Sequence, residues 1–368
     1  MQSNKIKVGI SHGDINGIGY EIIIKAFSDN RINDICTPII FGSPKVASYH
    51  KKAINANHFN PNTIKNTSET HNKKVNIINC VDENIRVELG KSTAEAGKSS
   101  FMALEEATKA VINKNIDVLV TCPINKHNIQ SENFKFPGHT EYLTKASKSN
   151  ESVMLMVSDL MKIGVATGHV PVNKVAENLS EELIIRKLEI INKSMIKDFG
   201  IRKPRIAVLG LNPHAGDNGL LGTEEQNIII PAIEKAKEKD IMAFGPFPAD
   251  GFFGSDNFKK FDAILAMYHD QGLIPFKALA FDSGVNYTAG LPIIRTSPAH
   301  GTAYEIAGKN VASPDSLRQA LYLAVDIFKN RRKWEELNRD PLKKQTPEHD
   351  MYIPDSAPVN KDRENNEE

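Results

Sequence analysis

Short apolar runs rich in Val, Ile and Leu recur at residues 6–10, 38–41, 75–78, 118–121, 153–157, 163–166, 206–209 and 263–267. Between several of them lie stretches of helical length, 95–113, 181–198 and 224–239, in which apolar residues return every three or four positions. A short run bounded by turns reads as a strand, and the 3.6-residue period reads as an amphipathic helix. Strand followed by helix, repeated, predicts an α/β protein with largely parallel sheets, because parallel strands need a long crossover connection. Helix starts carry their own signals. Thr223-Glu-Glu-Gln226 has the form of a capping box. Ser313-Pro-Asp-Ser316 opens a final helix with proline in its first turn, and that helix is expected to end near Lys329.

At 368 residues the chain is long for a single hydrophobic core. Two α/β/α domains with the active-site cleft between them are expected: residues 1–135 plus 300–330 form the first, and 136–299 the second. From 331 to 368 charge and proline dominate, with Pro341, Pro347, Pro354 and Pro358, so this end reads as a disordered tail. The Asn-rich stretch 55–74 reads as a surface loop.

Lys and Arg number 46 against 45 Asp and Glu, which leaves no overall field for nucleic acid or an anionic membrane. The expected partner is a small molecule. Cys36, Cys80 and Cys122 are odd in number and lack C-x-x-C spacing, against both a disulfide framework and a thiolate zinc site. A reducing cytoplasm fits that usage. The first residues run into a strand with no signal-peptide core, and no segment approaches membrane-span length.

Three histidines stand just beyond apolar runs: His169, His214 and His269. In an open parallel sheet the carboxyl ends of strands face a common crevice. Three imidazoles delivered there would hold a divalent metal, provided the fold makes them converge. His50, His58, His71 and His349 stand in polar stretches and are expected in solvent. Gly13-Asp-Ile-Asn-Gly17-Ile-Gly19 follows the first strand, but its spacing is not the dinucleotide G-x-G-x-x-G. It serves either a tight strand-to-helix turn or a ligand. Gly90-Lys91-Ser92 and Gly97-Lys98-Ser99 lack the earlier glycine of a P-loop, which sets aside a nucleotide triphosphatase.

Phe136-Pro-Gly-His139-Thr140-Glu141 brings an imidazole, a hydroxyl and a carboxylate to a helix start, where backbone N–H groups favour anions. Thr140 serves equally well there as a helix cap. From His269 a polar series continues through Lys277 and Asn286 to Arg295. The two cations suit a phosphate or a carboxylate, Arg through a planar fork and Lys as a point charge.

Taken in order, several motifs resemble the 4-hydroxythreonine-4-phosphate dehydrogenase family of vitamin B6 biosynthesis. They are Gly13-Asp-x-x-Gly-Ile-Gly19, Thr121-Cys-Pro-Ile-Asn-Lys126, Pro137-Gly-His-Thr-Glu141, Gly210-Leu-Asn-Pro-His-Ala-Gly216 and Gly222-Thr-Glu-Glu225. Pro248-Ala-Asp250, Ala266-Met-Tyr-His-Asp-Gln-Gly272, Arg295-Thr-Ser297 and His300-Gly-Thr-Ala303 complete the set, which spans roughly residues 5 to 330. The resemblance implies a fold like that of isocitrate and isopropylmalate dehydrogenases, and a homodimer with each site completed across the interface. By the same resemblance His169, His214 and His269 bind the metal, and His139, Thr140, Lys277, Asn286 and Arg295 bind a small phosphorylated substrate. The implied chemistry is oxidation of a secondary alcohol by NAD or NADP, followed by loss of CO₂. Zinc best suits three imidazoles, with magnesium or cobalt as alternatives. Asp250 is the candidate catalytic acid–base, or else a carboxylate that orients a histidine.

Ile15-Asn16, Tyr20, Gly251 and Ala299 depart from the family pattern, and none of them is a proposed ligand. A paralogous dehydrogenase for a related hydroxy acid, a metal-dependent hydrolase or lyase, and a module that only binds a phosphorylated metabolite are the competing functions.

Overall fold

The computed structural model describes residues 5–340 apart from Asn30 and Glu83. Among them twelve strands form: β1 Ile6–Ser11, β2 Cys36–Gly42, β3 Asn62–Ile64, β4 Asn76–Asn79, β5 Val118–Thr121 and β6 Val153–Val157, then β7 Lys162–Thr167, β8 Arg205–Leu209, β9 Met242–Phe247, β10 Ala263–Tyr268, β11 Val285–Ala289 and β12 Arg295–Pro298. All belong to one continuous sheet, in the order β3-β4-β2-β1-β5-β12-β11-β6-β7-β10-β8-β9. Neighbours pair in parallel except at the centre, where β11 runs antiparallel to β12 and β6, and β6 runs antiparallel to β7. The sheet therefore has two parallel blocks running in opposite directions, joined through the antiparallel strands β11 and β6.

One sheet thus runs through the α/β fold that the sequence predicts. The two-lobed character lies in the helices. One face of the sheet is covered by a single apolar cluster that includes residues of helices Gly19–Ala26, Glu181–Lys197, Ile230–Glu238 and Asp315–Leu337. On the other face the packing divides, with one cluster under helix Ala94–Ile112 and another under helix His269–Ala280. The central strands between those clusters expose a polar face, and the cleft opens there.

Inner strands such as β2 and β5 are buried along their whole length, which accounts for the apolar runs Pro38–Phe41 and Val118–Val120 within them. Each buried Val, Leu or Ile contributes about 1.5–3 kcal/mol relative to exposure. Helix Glu181–Lys197 turns Ile184, Leu188, Ile191 and Met195 inward at helical spacing, and the Ser180 hydroxyl caps it by accepting the Leu183 N–H at 3.2 Å.

Four strands did not announce themselves in the sequence. β3 lies inside the Asn-rich stretch expected as a loop, and β9 carries Gly245-Pro246 and is an edge strand, where proline costs no ladder bond. β11 alternates apolar with polar residues and β12 reads Arg-Thr-Ser-Pro, so neither stands out as an apolar run.

Three local expectations are corrected. The final helix runs on to Leu337, because Arg331 turns inward: its Nε donates to Asp198 Oδ1 at 2.6 Å and its Nη2 to the Tyr287 hydroxyl at 3.1 Å. Residues 341–368 of the expected tail lie outside the described residues, as does His349. His50 is fully buried rather than solvated, with Nε2 2.8 Å from the Ile15 carbonyl oxygen. Thr223 and Gln226 make no capping box; a π-helical turn, Glu225–Ile229, opens that helix instead. Among the described residues no helix is long and apolar enough to cross a membrane.

Candidate active site

β12 and β11 send alternate side chains to the polar face, Arg295 and Ser297 from one and Asn286 and Thr288 from the other, with Asn286 opposite Ser297. Together with Thr121 at the end of β5 and His139 at the start of helix His139–Ala146, these side chains surround a cavity of about 180 Å³, except for Thr288 beneath it. That is smaller than the roughly 300–1,000 Å³ of sites for drug-sized ligands and suits a compact one.

Arg295 is the chemical centre of this cavity. It is 2% exposed, and its partners are hydroxyls: Nη2 and Nε donate to Thr121 Oγ1 at 2.7 and 3.0 Å, and Nη1 donates to Thr288 Oγ1 at 3.2 Å. Among the described residues no carboxylate stands within ion-pair distance of it. Burial pulls its pKa down to about 9, opposed by the charge of Glu141, and it stays protonated at neutral pH. A buried guanidinium without a counter-ion is costly unless an anion completes it.

Its surroundings are equally incomplete. His139 Nε2, Glu141 Oε2, Asn286 Oδ1 and His300 Nε2 all border the cavity and are buried without a hydrogen-bond partner. Native structures leave few such atoms unsatisfied, and a cluster of them marks a ligand's place. Burial holds His139 well below the ordinary imidazole pKa, with the charges of Arg295 and Lys126 adding to the effect. It is a neutral group at pH 7. Gly138, not Thr140, occupies the cap position, so Thr140 is not the helix cap.

The histidines at strand ends fall on adjacent strands. His169 follows β7, His269 follows β10 and His214 follows β8, three parallel neighbours in the sheet, and Asp250 follows β9 beside them. The His169 and His269 rings lie 6.3 Å apart, centroid to centroid. Each has a carboxylate at Nδ1: Glu141 Oε1 at 3.4 Å from His169, and Asp270 Oδ1 at 2.7 Å from His269. Hydrogen bonding to His169 holds the Glu141 carboxyl below its usual pKa. A carboxylate at Nδ1 fixes the tautomer that leaves Nε2 unprotonated, the arrangement of metal-ligating histidines; at His169 that nitrogen lies 3.4 Å from the Lys126 ammonium. To that extent the residues fit a divalent metal. His214 does not close the set: among the described residues no three His, Cys, Asp or Glu side chains lie close enough to hold one.

Comparison with known proteins decides the kinship. The family model described as pyridoxal phosphate biosynthetic protein PdxA matches residues 34–324. The chain belongs to the PdxA family. It is 54% identical over 346 residues to the 4-hydroxythreonine-4-phosphate dehydrogenase of Bacteroides thetaiotaomicron, covering 94% of this chain and 95% of the relative. Crystal structures of enzymes with that name from Klebsiella pneumoniae and Burkholderia phymatum superpose with TM-scores of 0.77 and 0.72 at 30% and 33% identity. They cover 89% and 88% of this chain, and 99% and 98% of theirs. Membership makes this protein an NAD(P)-dependent oxidoreductase and sets aside the hydrolytic and purely binding alternatives.

Within this PdxA family member the nominated residues divide into groups. His139, Thr140, Asn286, Arg295 and His169 meet at one cavity. Lys277 does not join them; it lies two helical turns beyond His269, exposed on helix His269–Ala280. Asp250 is exposed at the start of the short helix Ala249–Gly254, which packs against the His214 loop.

Thr121, Lys126 and His300 also border the cavity and were not singled out as ligands. Their motifs were visible, but nothing in them distinguished a ligand from a turn. Glu225 was missed for another reason. Its carboxylate accepts the N–H groups of Leu211 and Asn212, both at 2.7 Å, and so anchors the His214 loop from fourteen residues away. The loop needs an anchor, because His214, Ala215, Gly216, Asp217 and Asn218 all have left-handed backbone angles, which cost non-glycine residues about 1–2 kcal/mol each.

The first glycine motif makes the tight strand-to-helix turn. Gly13 has φ of 74°, and a side chain there would run into the Pro123 carbonyl oxygen. Asp14 Oδ2 accepts from the Tyr304 hydroxyl at 2.8 Å and from Asn128 Nδ2 at 2.9 Å, tying the turn to the segment after β5 and to the one before the last helix.

Proposed function

We propose that the protein oxidises 4-phosphohydroxy-L-threonine with NAD or NADP and decarboxylates the product to 3-amino-2-oxopropyl phosphate, a step of vitamin B6 biosynthesis. The observation that carries this reading is Arg295, buried, charged and without a counter-ion in a cavity edged by unpartnered polar atoms. A phosphate group supplies what the cavity lacks. Arg295 takes it through its remaining N–H groups, Asn286 and Thr140 flank it, and neutral His139 donates or accepts without adding charge. Phosphate held at this end directs the rest of the substrate towards His169 and His269.

A bound nicotinamide would supply the hydride acceptor, and a divalent metal, zinc by preference, would supply Lewis acidity towards the substrate's oxygen. His169, His214 and His269 are the residues that would hold it, supported by their adjacent strand ends and by the Glu141 and Asp270 carboxylates. Asp250 beside the His214 loop is the candidate proton carrier, or alternatively the carboxylate that orients His214. Hydride and a proton leave the alcohol; loss of the carboxylate as CO₂ is followed by protonation of the carbon that held it.

The second copy of the chain has a role in this scheme. Lys277 shares its exposed helix face with Ile274 and Phe281, 64% and 61% exposed, and this face suits a homodimer that delivers Lys277 to the partner's site. Three free cysteines accord with a cytoplasmic protein.

The test is absorbance of reduced nicotinamide with 4-phosphohydroxy-L-threonine, each dinucleotide and each metal in turn. Chelator-sensitive reduction is expected. Folded, metal-loaded protein that reduces neither dinucleotide overturns the substrate assignment.

A further inference from the structure

We propose that Lys126 recognises the carboxylate of the substrate, and so makes the site select phosphorylated acids over phosphorylated alcohols. This rests on the phosphorylated-substrate reading above and assigns the other end of the same ligand.

Lys126 lies beyond β5 in a turn that its neighbours hold firmly. Asn125 Oδ1 accepts the N–H groups of His127 and Asn128 at 2.8 and 3.2 Å, and Gln130 Nε2 donates to the Lys126 carbonyl at 2.9 Å. The backbone is thereby fixed while the long side chain reaches into the cleft. Its ammonium stands 3.4 Å from His169 Nε2 and borders the same cavity as Arg295. Among the described residues it has no carboxylate within ion-pair distance, and Glu141, which shares the cavity, directs Oε1 to His169 instead.

The cleft thus holds two cations with different addresses. Arg295 is buried among the hydroxyls of β5 and β11, at the His139 end. Lys126 is exposed, at the His169 end. A phosphorylated β-hydroxy acid has the matching layout: phosphate at one end, carboxylate at the other and the reacting alcohol between them. The planar guanidinium fork suits the phosphate, and the mobile ammonium suits an end group that departs. Since the alcohol must face the strand-end imidazoles, the carboxylate two carbons away comes within reach of the neighbouring ammonium. The charge of Lys126 also helps hold His139 neutral, which places it within electrostatic range of the phosphate cage without belonging to it.

The experiment is calorimetric titration of the full-length protein with erythronate 4-phosphate and with erythritol 4-phosphate, which differ only in a carboxylate or a hydroxymethyl group at C1. No nicotinamide is added, so nothing turns over. Wild type is expected to bind the acid about ten- to hundredfold more tightly, the worth of one hydrogen bond to a charged group. Lys126→Met should bring that ratio close to one and leave the alcohol's affinity unchanged, and Lys126→Arg should restore much of the preference. Equal weakening of both ligands in Lys126→Met, or an unchanged ratio, overturns the assignment. A wild type that binds both equally overturns it too, while the phosphate reading survives. A wild type that binds neither overturns the phosphate reading itself, and this inference with it.

Discussion

Arg295 grips the hydroxyl of Thr121 with two of its nitrogens, Nη2 at 2.7 Å and Nε at 3.0 Å. A hydroxyl can satisfy an N–H group but cannot neutralise a charge. The guanidinium is thus oriented without being compensated, and five N–H donors meet only three protein contacts. Orientation before the ligand arrives is what a binding site requires. The cost appears as buried charge in the free protein.

Replacing Arg295 with Met should separate stability from function. Removing an uncompensated buried charge relieves desolvation, so the melting temperature is expected to hold or rise. Affinity for a phosphate ester should fall about a hundredfold or more, as when one partner of a buried charge pair is truncated. Differential scanning calorimetry beside ligand titration measures both. A large loss of stability with ligand affinity intact would show that Arg295 is structural.

Glu225 and the His214 loop predict a coupled loss. Glu225→Ala leaves the N–H groups of Leu211 and Asn212 unsatisfied, at about 1–3 kcal/mol each, and frees a left-handed run of five residues to relax. Urea denaturation should show about 2–4 kcal/mol of destabilisation, and metal content should drop although no proposed ligand was changed. Unchanged stability would mean the loop is held by something else.

Much of this arrangement was legible in the sequence, and what was hidden shares a physical cause. The aliphatic strands that build the core and the histidines at their ends could be read, since core strands are apolar and their ends are punctuated. β11 and β12 could not, because the polar residues that face the candidate site there, Asn286, Thr288, Arg295 and Ser297, interrupt the pattern that marks a strand. His50 and Arg331 misled in the same way. Each lies in a charged local sequence, yet each faces inward on a helix beside buried Ala47 or Ile327. Charge along the chain reports average exposure; which face turns inward depends on tertiary packing. The single shared sheet was likewise beyond reach, since pairing between strands far apart in sequence leaves no local trace.

The dimer reading predicts complementation. If Lys277 serves the partner's site, Lys277→Met and Arg295→Met are each inactive alone, yet in a mixed dimer one site carries both defects and the other carries none. Random re-association should return about a quarter of wild-type activity, because half of the dimers are mixed and half of their sites are intact. Activity assayed after subunit exchange measures this, and no recovery would put Lys277 within its own subunit's site or outside catalysis. Ile274→Asp with Phe281→Asp should yield monomers by sedimentation.

Acid should destabilise the protein well before carboxylates titrate, through a buried column of rings. His12 stacks on Tyr20 at 5.1 Å and Tyr20 on His50 at 5.2 Å, and Nδ1 of each histidine is buried without a partner. Burial lowers the His12 pKa to about 3 and that of His50 to about 4, opposed in part by a backbone contact in each and, for His50, by the charge of Glu21. In the unfolded chain both titrate near 6.5. Between those values the unfolded state binds protons that the folded state refuses, so stability rises with pH there. The contribution is complete above about pH 6.5 and is lost as pH falls towards about 4 and then 3. His139 and His300 are shifted the same way and add to the slope. Urea midpoints measured from pH 8 to pH 5 should decline, and His50→Gln, whose amide can replace the bond to Ile15, should flatten the decline even if it lowers the midpoint. A midpoint that stays level down to pH 5, or a His50→Gln slope as steep as wild type, would show that these imidazoles do not govern acid stability.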